Sequence, residues 1–203
     1  MGHLHRRTSL RATRLFPSRS LEFLACFEGS PCATGVCFAF GIRFLQGHPI
    51  NPHQDTCKQD LIALQLLSAA SVAKKSTYLR SKDRRKYNIS FGKRQDFTTL
   101  DIPTLTATLN QWTTENSDQP TKIIVAISAS KSAIHAKHFL PLAYIPTTAT
   151  WEVGDTSFSL AADGSVVRYE ILSERLEGYL NWQISDFVGD NTFRKISLIQ
   201  LGD

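Results

Sequence analysis

The run Lys122–Ile127 (Lys-Ile-Ile-Val-Ala-Ile) constrains the fold more than any other stretch. It has the length of one strand and no polar residue after Lys122, so it predicts a strand buried on both faces. The segments around it supply its neighbours. Asp101 can N-cap a helix beginning at Ile102–Pro103, and Leu105, Leu109 and Trp112 fall on one stripe of it. Tyr87–Phe91, Phe139–Ile145, Thr148–Val153 and Arg194–Leu201 read as strands. Asp163-Gly164 sits between Thr156–Ala161 and Ser165–Leu172, a hairpin signal. A second helix begins near Ser173, with Glu174 and Glu177 in its first turn and Leu176, Tyr179, Leu180, Gln183, Ile184 and Phe187 on its inner face.

The expected class is therefore α+β: a mainly antiparallel sheet with two helices packed on one face, preceded by a poorly ordered basic N-terminal region. The charge distribution supports that division. Residues 1–95 hold 16 Lys and Arg against 5 Asp and Glu, while residues 96–203 hold 7 against 13. A basic arm on an acidic folded unit is the usual meaning of such polarity. Three parts follow: residues 1–57, a basic leader that carries all four cysteines, of targeting or disordered type; 58–86, a helix (Gln59–Lys75) and basic linker; and 87–203, the compact domain.

The first 21 residues carry five arginines, five Ser or Thr and no acid before Glu22, the composition of a transit peptide. Arg11, Arg14 and Arg19 interrupt any apolar run a secretory signal would need, so the expected setting is intracellular, an organelle such as the mitochondrion, and not secreted. No uncharged apolar stretch reaches the length of a membrane span.

Several constellations bear on chemistry. Cys32, Cys37, His48 and His53 have intervals near those of a small zinc site, with Cys26 or Cys57 as substitute ligands. Pro49 and Pro52 between the histidines oppose the helix that a familiar finger requires, so the plainer expectation is no cofactor and reduced, unpaired cysteines. The basic segment Lys74, Lys75, Arg80, Lys82, Arg84, Arg85, Lys86, Lys93 and Arg94, interleaved with Tyr78, Tyr87 and Phe91, has the cations and aromatics that nucleic acid needs. Ser128-Ala129-Ser130-Lys131 matches S-x-x-K without the partner motifs that give it meaning. His135 and His138 would share a face only in a helix, and no third ligand lies nearby in sequence. A nucleophile–histidine–acid set can be drawn from Cys57, His135 and Asp155, but such sets are recognised by geometry and not by order.

With no catalytic motif evident, the leading expectation is a non-catalytic binding or accessory protein acting on another protein or complex through its C-terminal domain. The alternatives are a nucleic-acid-associated protein using residues 74–94, and an enzyme whose site is assembled from scattered residues.

Overall fold

The computed structural model describes residues 16–32, 35–73, 78–115, 119–131 and 134–202. Six strands, β1 (Ser90–Phe97), β2 (Thr121–Lys131), β3 (Ile134–Ile145), β4 (Thr150–Val153), β5 (Tyr169–Leu172) and β6 (Thr192–Gly202), form one sheet in the order β1-β6-β2-β3-β4-β5. Every neighbouring pair is antiparallel. β2 lies inside the sheet, with Val125 opposite Leu140 on β3 and Leu198 on β6.

Alternation along β2 explains its continuous apolar character. Ile123, Val125, Ile127 and Ala129 enter one core with α5 (Ile102–Glu115) and α6 (Leu176–Val188). Ile124 and Ala126 enter a second core on the opposite face, with α2 (Cys37–Leu45) and α3 (Asp55–Ala73). Helices therefore cover both faces, and the expected pair on one face is half of the architecture. Asp101 does cap α5: Thr104 N–H donates to Oδ1 at 3.1 Å and the Thr104 hydroxyl to Oδ2 at 2.7 Å. The Asp163-Gly164 turn also forms, closed by Ala161 N–H to Ser165 carbonyl at 2.8 Å, but its flanks meet only at the Leu160–Val166 bridge. Tyr169–Leu172 pairs with β4 instead.

The layer that the sequence left unassigned is α2. Seven of its nine residues are buried, so it has no polar stripe from which a period could be read. It packs on β2 and β3, with α3 behind it. Arg43 ties the two helices through a bidentate pair with Asp60 at 2.7 Å, and Arg168 caps the C-terminal end of α2 by donating to the Phe44 carbonyl at 2.7 Å.

The described residues between 16 and 57 pack into the core of the sheet instead of standing apart from it. Phe23, Phe27, Phe38 and Phe40 are fully buried and share their core with Ile124, Phe139 and Ile199 of the sheet. The same core takes in Leu61, Leu64, Leu79, Tyr87 and Ile89, so boundaries at 57/58 and 86/87 cut through packed side chains. Residues 1–15, on which most of the targeting argument rests, lie outside the described residues. Among the described residues no helix is long and apolar enough to cross a membrane.

Phe40→Ala separates a packed half from an appended leader. The ring contacts Phe23 edge-on, with centroids 5.4 Å apart, and Phe44 at 5.8 Å. Its loss is expected to lower the unfolding free energy by about 3–5 kcal/mol, read by urea denaturation. A leader residue would change it by almost nothing.

Candidate active site

Cys37 is the first residue of α2 and is half-buried, whereas Val36 before it and Phe38 after it are buried. The packing of α2 on the sheet fixes where this first turn points. The backbone reaches it through Gly35, whose φ of +144° is a conformation that residues with a side chain rarely adopt. Amide groups in a helix's first turn have no partners within the helix and favour negative charge nearby. One of them, Ala39 N–H, donates to Gln65 Oε1 at 3.2 Å, so α3 helps to hold this end of α2. The Cys37 thiol donates to the Lys137 carbonyl at 3.8 Å, which sets the sulfur against the next residue of β3, His138.

His138 Nε2 lies 2.7 Å from Asp155 Oδ2. A carboxylate can only accept, so Nε2 carries the proton and Nδ1 is left for the thiol. Phe187 of α6 stacks on the imidazole, with centroids 5.3 Å apart and planes 21° apart, holding the ring in place. Asp155 follows β4 by two residues, and its side chain is fully buried. Its other oxygen accepts from Ser157 N–H at 2.7 Å. The carboxylate is thereby satisfied on both sides, as a buried charge must be.

Burial opposes charge on His138, but the Asp155 carboxylate and the Cys37 thiol outweigh it and raise the imidazole from 6.5 to about 10. Burial likewise disfavours the Asp155 carboxylate, and the charge and hydrogen bond of His138, with the Ser157 contacts, overcome it and hold the acid below its ordinary 3.8. The signs follow from linkage. The raised histidine stabilises the fold fully below 6.5 and loses that contribution as pH climbs through about 10. The depressed acid stabilises above 3.8 and loses its contribution as pH falls through its lowered value. The wild-type protein should therefore exceed His138→Gln in unfolding free energy by most between pH 3.8 and 6.5, with the difference shrinking on both sides. Urea denaturation across the pH range reads it. A difference that keeps growing above pH 6.5 contradicts the assignment of the pair.

Gly154 couples the turn that carries Asp155 to α2. A Cβ at this position would lie 2.4 Å from Phe44 Cε2 of α2, so the close packing of that ring requires glycine next to Asp155. Gly154→Ala is expected to cost about 1–3 kcal/mol through overpacking. It should also loosen the His138–Asp155 pair, because Phe44 and Asp155 cannot both keep their places. A thermal melt and the NMR titration of His138 on the same sample check both.

Cys37 and His138 line an open cleft of about 870 Å³, bordered by Gln65 and Ala69 from α3 and by Gln183 and Phe187 from α6. Of the three residues proposed from sequence as a nucleophile–histidine–acid set, only Asp155 is in this constellation. Cys57 lies in α3, and His135 precedes His138 by three residues on a strand, so the helical spacing that would have joined the two histidines does not exist. Cys37 and His138 were both weighed as metal ligands and not as partners of each other. The available signal was a glycine and a cysteine opening a helix-length apolar run at Gly35–Leu45, paired with a histidine inside a strand.

The expected zinc ligands are dispersed. Cys32 is buried with its sulfur 3.9 Å from the Ile62 carbonyl, Cys37 faces His138, and His48 Nε2 lies 3.5 Å from Arg43. His53 lies 3.6 Å from the Cys26 sulfur. Among the described residues no three His, Cys, Asp or Glu side chains are grouped to hold a metal.

The basic segment is partly engaged within the molecule. Arg80, Lys82, Arg84, Arg85 and Lys86 belong to or border α4 (Ser81–Lys86), where Arg80 pairs with Asp83 at 3.4 Å and Arg84 donates to Ser81 at 3.3 Å. Lys93 pairs with Glu115 and lies 5.5 Å over Trp112, while Arg94 pairs with Asp96 at 3.0 Å. Lys74 and Lys75 lie outside the described residues. Ser128–Lys131 forms the end of β2, where S-x-x-K opens no helix.

The fold resembles the solved structure of the Pseudomonas avirulence protein AvrPphB, with a TM-score of 0.55 and 6% sequence identity over 84% of this chain and 93% of that one. At that identity the likeness is one of fold. No family model matches the chain, and no curated protein sequence does.

Proposed function

We propose that the protein is a cysteine hydrolase of peptidase type, with Cys37 as nucleophile, His138 as general base and acid, and Asp155 as the group that orients and charges the imidazole. The observation that carries this reading is the convergence of the Cys37 thiol with the His138–Asp155 pair at one open cleft, from stretches about a hundred residues apart in sequence. Nucleophile, base and orienting acid are the arrangement that acyl transfer requires.

The steps follow from these positions. The proton shared between Cys37 and His138 sits on Nδ1 at the moment of attack, making the imidazolium that Asp155 stabilises, and the sulfur attacks the carbonyl carbon of the bound substrate. The carbonyl π electrons move to oxygen, and the N–H groups of the first turn of α2 are the donors proposed to receive the charge. When the tetrahedral species collapses, the C–N bond breaks and the amine leaves with the proton from His138. A thioester on Cys37 remains. His138 then takes a proton from water, the hydroxide attacks the thioester, and the C–S bond breaks with the proton returning to sulfur. Asp155 holds Nε2–H throughout and stabilises the imidazolium without itself taking the proton.

An extended chain suits the site better than a compact molecule. The cleft runs from Arg19 and Gln183 on one side to Gln65 and Val72 on the other, and a second pocket continues from it past Val72 and Lys137. The convergence of Cys37, His138 and Asp155 favours this reading over that of a non-catalytic accessory protein.

The test is digestion of a diverse peptide library, read by mass spectrometry. Wild-type protein should generate new termini that Cys37→Ala does not. A library left intact by wild-type protein whose Cys37 also resists alkylation would overturn the proposal.

A further inference from the structure

Resting on the reading of Cys37 as nucleophile, we infer that the substrate is a peptide carrying a carboxylate side chain within about two residues of the cleaved bond, and that Lys137, Lys195 and Arg94 bind it. These cations line a pocket of about 290 Å³ with Tyr78, Ser128 and Ser197. The pocket adjoins the catalytic cleft and shares Lys137 with it. Lys137 and His138 alternate in β3, so their side chains leave opposite faces of the sheet, and it is the shared lining of Lys137 and Val72 that joins the pocket to the cleft and puts it in reach of a substrate residue near the reacting carbonyl.

The charges in the pocket do not balance. Asp96 is shared by two of the cations, Arg94 at 3.0 Å and Lys195 at 3.3 Å. Lys137 has no carboxylate partner among the described residues. Burial, then the nearby charges of Lys195 and Arg94, push the Lys137 ammonium below its ordinary value. Holding like charges together costs free energy that a bound anion removes. A pocket this small takes a carboxylate and its short stem beside the Tyr78 ring, with the Ser128 and Ser197 hydroxyls within the same lining.

The experiment uses the full chain and the same peptide library, now read for residue frequencies around each cleaved bond. Asp or Glu should be enriched about tenfold over Asn or Gln at one position within two residues of the bond. In the Lys137→Glu, Lys195→Glu double variant the acidic enrichment should disappear and Lys and Arg should become favoured over Asn and Gln at that position, a change of specificity that partial unfolding cannot produce. Cleavage without acidic enrichment, or enrichment that the double variant retains, overturns the inference and leaves the cysteine hydrolase standing. An intact library with Cys37 still rapidly alkylated by iodoacetamide overturns it as well, since every acidic context is represented. An intact library with Cys37 inert removes the hydrolase reading itself.

Discussion

Cys37→Ala should reduce peptide cleavage by at least about 10⁴-fold while leaving the protein folded. The two halves of that expectation have separate physical grounds. The sulfur is the atom that forms the covalent bond to substrate, so no residual group can replace it in the first step. Yet Cys37 is half-buried at the mouth of a cleft, and its contacts are the Lys137 carbonyl at 3.8 Å and the His138 ring. Removing one sulfur there opens space to solvent and not a closed cavity, so the stability change should stay within about 1 kcal/mol. Cys32 is the control. It is buried, 3% exposed, with its sulfur toward Ile62 of α3, and Cys32→Ala should lower the melting temperature and leave the rate per folded molecule unchanged. Comparable activity loss in both variants would mean that Cys37 acts through structure alone.

Asp155→Ala should be costly in both rate and stability. The fully buried carboxylate is bound on one side by His138 Nε2 and on the other by Ser157 N–H, each at 2.7 Å. Its removal strands an imidazole that burial alone would keep uncharged, and leaves a buried amide without an acceptor. Breaking a buried pair from one side costs about 3–5 kcal/mol. The rate per folded molecule should fall by roughly 10³–10⁴, because the ring loses both its tautomer and the charge that offsets imidazolium. Asp155→Asn separates the two roles. Its amide oxygen can still accept from Nε2–H, but its NH2 then meets Ser157 N–H, so the ring keeps its partner while the charge and one acceptor are lost, and activity should lie between wild type and Asp155→Ala. Denaturation curves and kcat/KM on the three proteins measure this. Equal activity in Asn and Ala variants would show that Asp155 acts only through its charge.

The legibility of this fold in its sequence varied with how one-sided each element is. α5 shows its face plainly: Leu105, Leu109 and Trp112 are buried while Pro103, Thr104 and Asn110 are exposed. β2 is legible for the opposite reason, since an apolar residue at every position from Ile123 to Ile127 fits only an inner strand. The same signal also implied a second covering layer, and that layer was α2. Its Phe38, Ala39, Phe40, Ile42 and Phe44 face a core on all sides and give no period, so the segment read as leader.

The site was harder to see than the fold, because its three groups come from a helix start, the interior of a strand and the turn after another strand. Each has a bland explanation where it stands. Only packing α2 against β3 brings Cys37 to His138, and only the close approach of Gly154 to Phe44 sets Asp155 beside the ring. The basic run at 80–94 shows a related effect: its charges are conspicuous in sequence, while the partners Asp83, Asp96 and Glu115 are spread along it and beyond it.

The most direct measurement is the rate of iodoacetamide alkylation at each cysteine at about pH 6, below the ordinary thiol range, resolved by peptide mass. Cys37 should react at least about tenfold faster than Cys26 and Cys57, and His138→Asn should abolish that advantage. Cys26 is the stringent comparison, since it too lies beside a histidine, His53, at 3.6 Å, but without a buried acid hydrogen-bonded to the ring. A Cys37 that reacts no faster than Cys26 or Cys57, or whose rate is indifferent to His138, would contradict the assignment of this cleft as an active site.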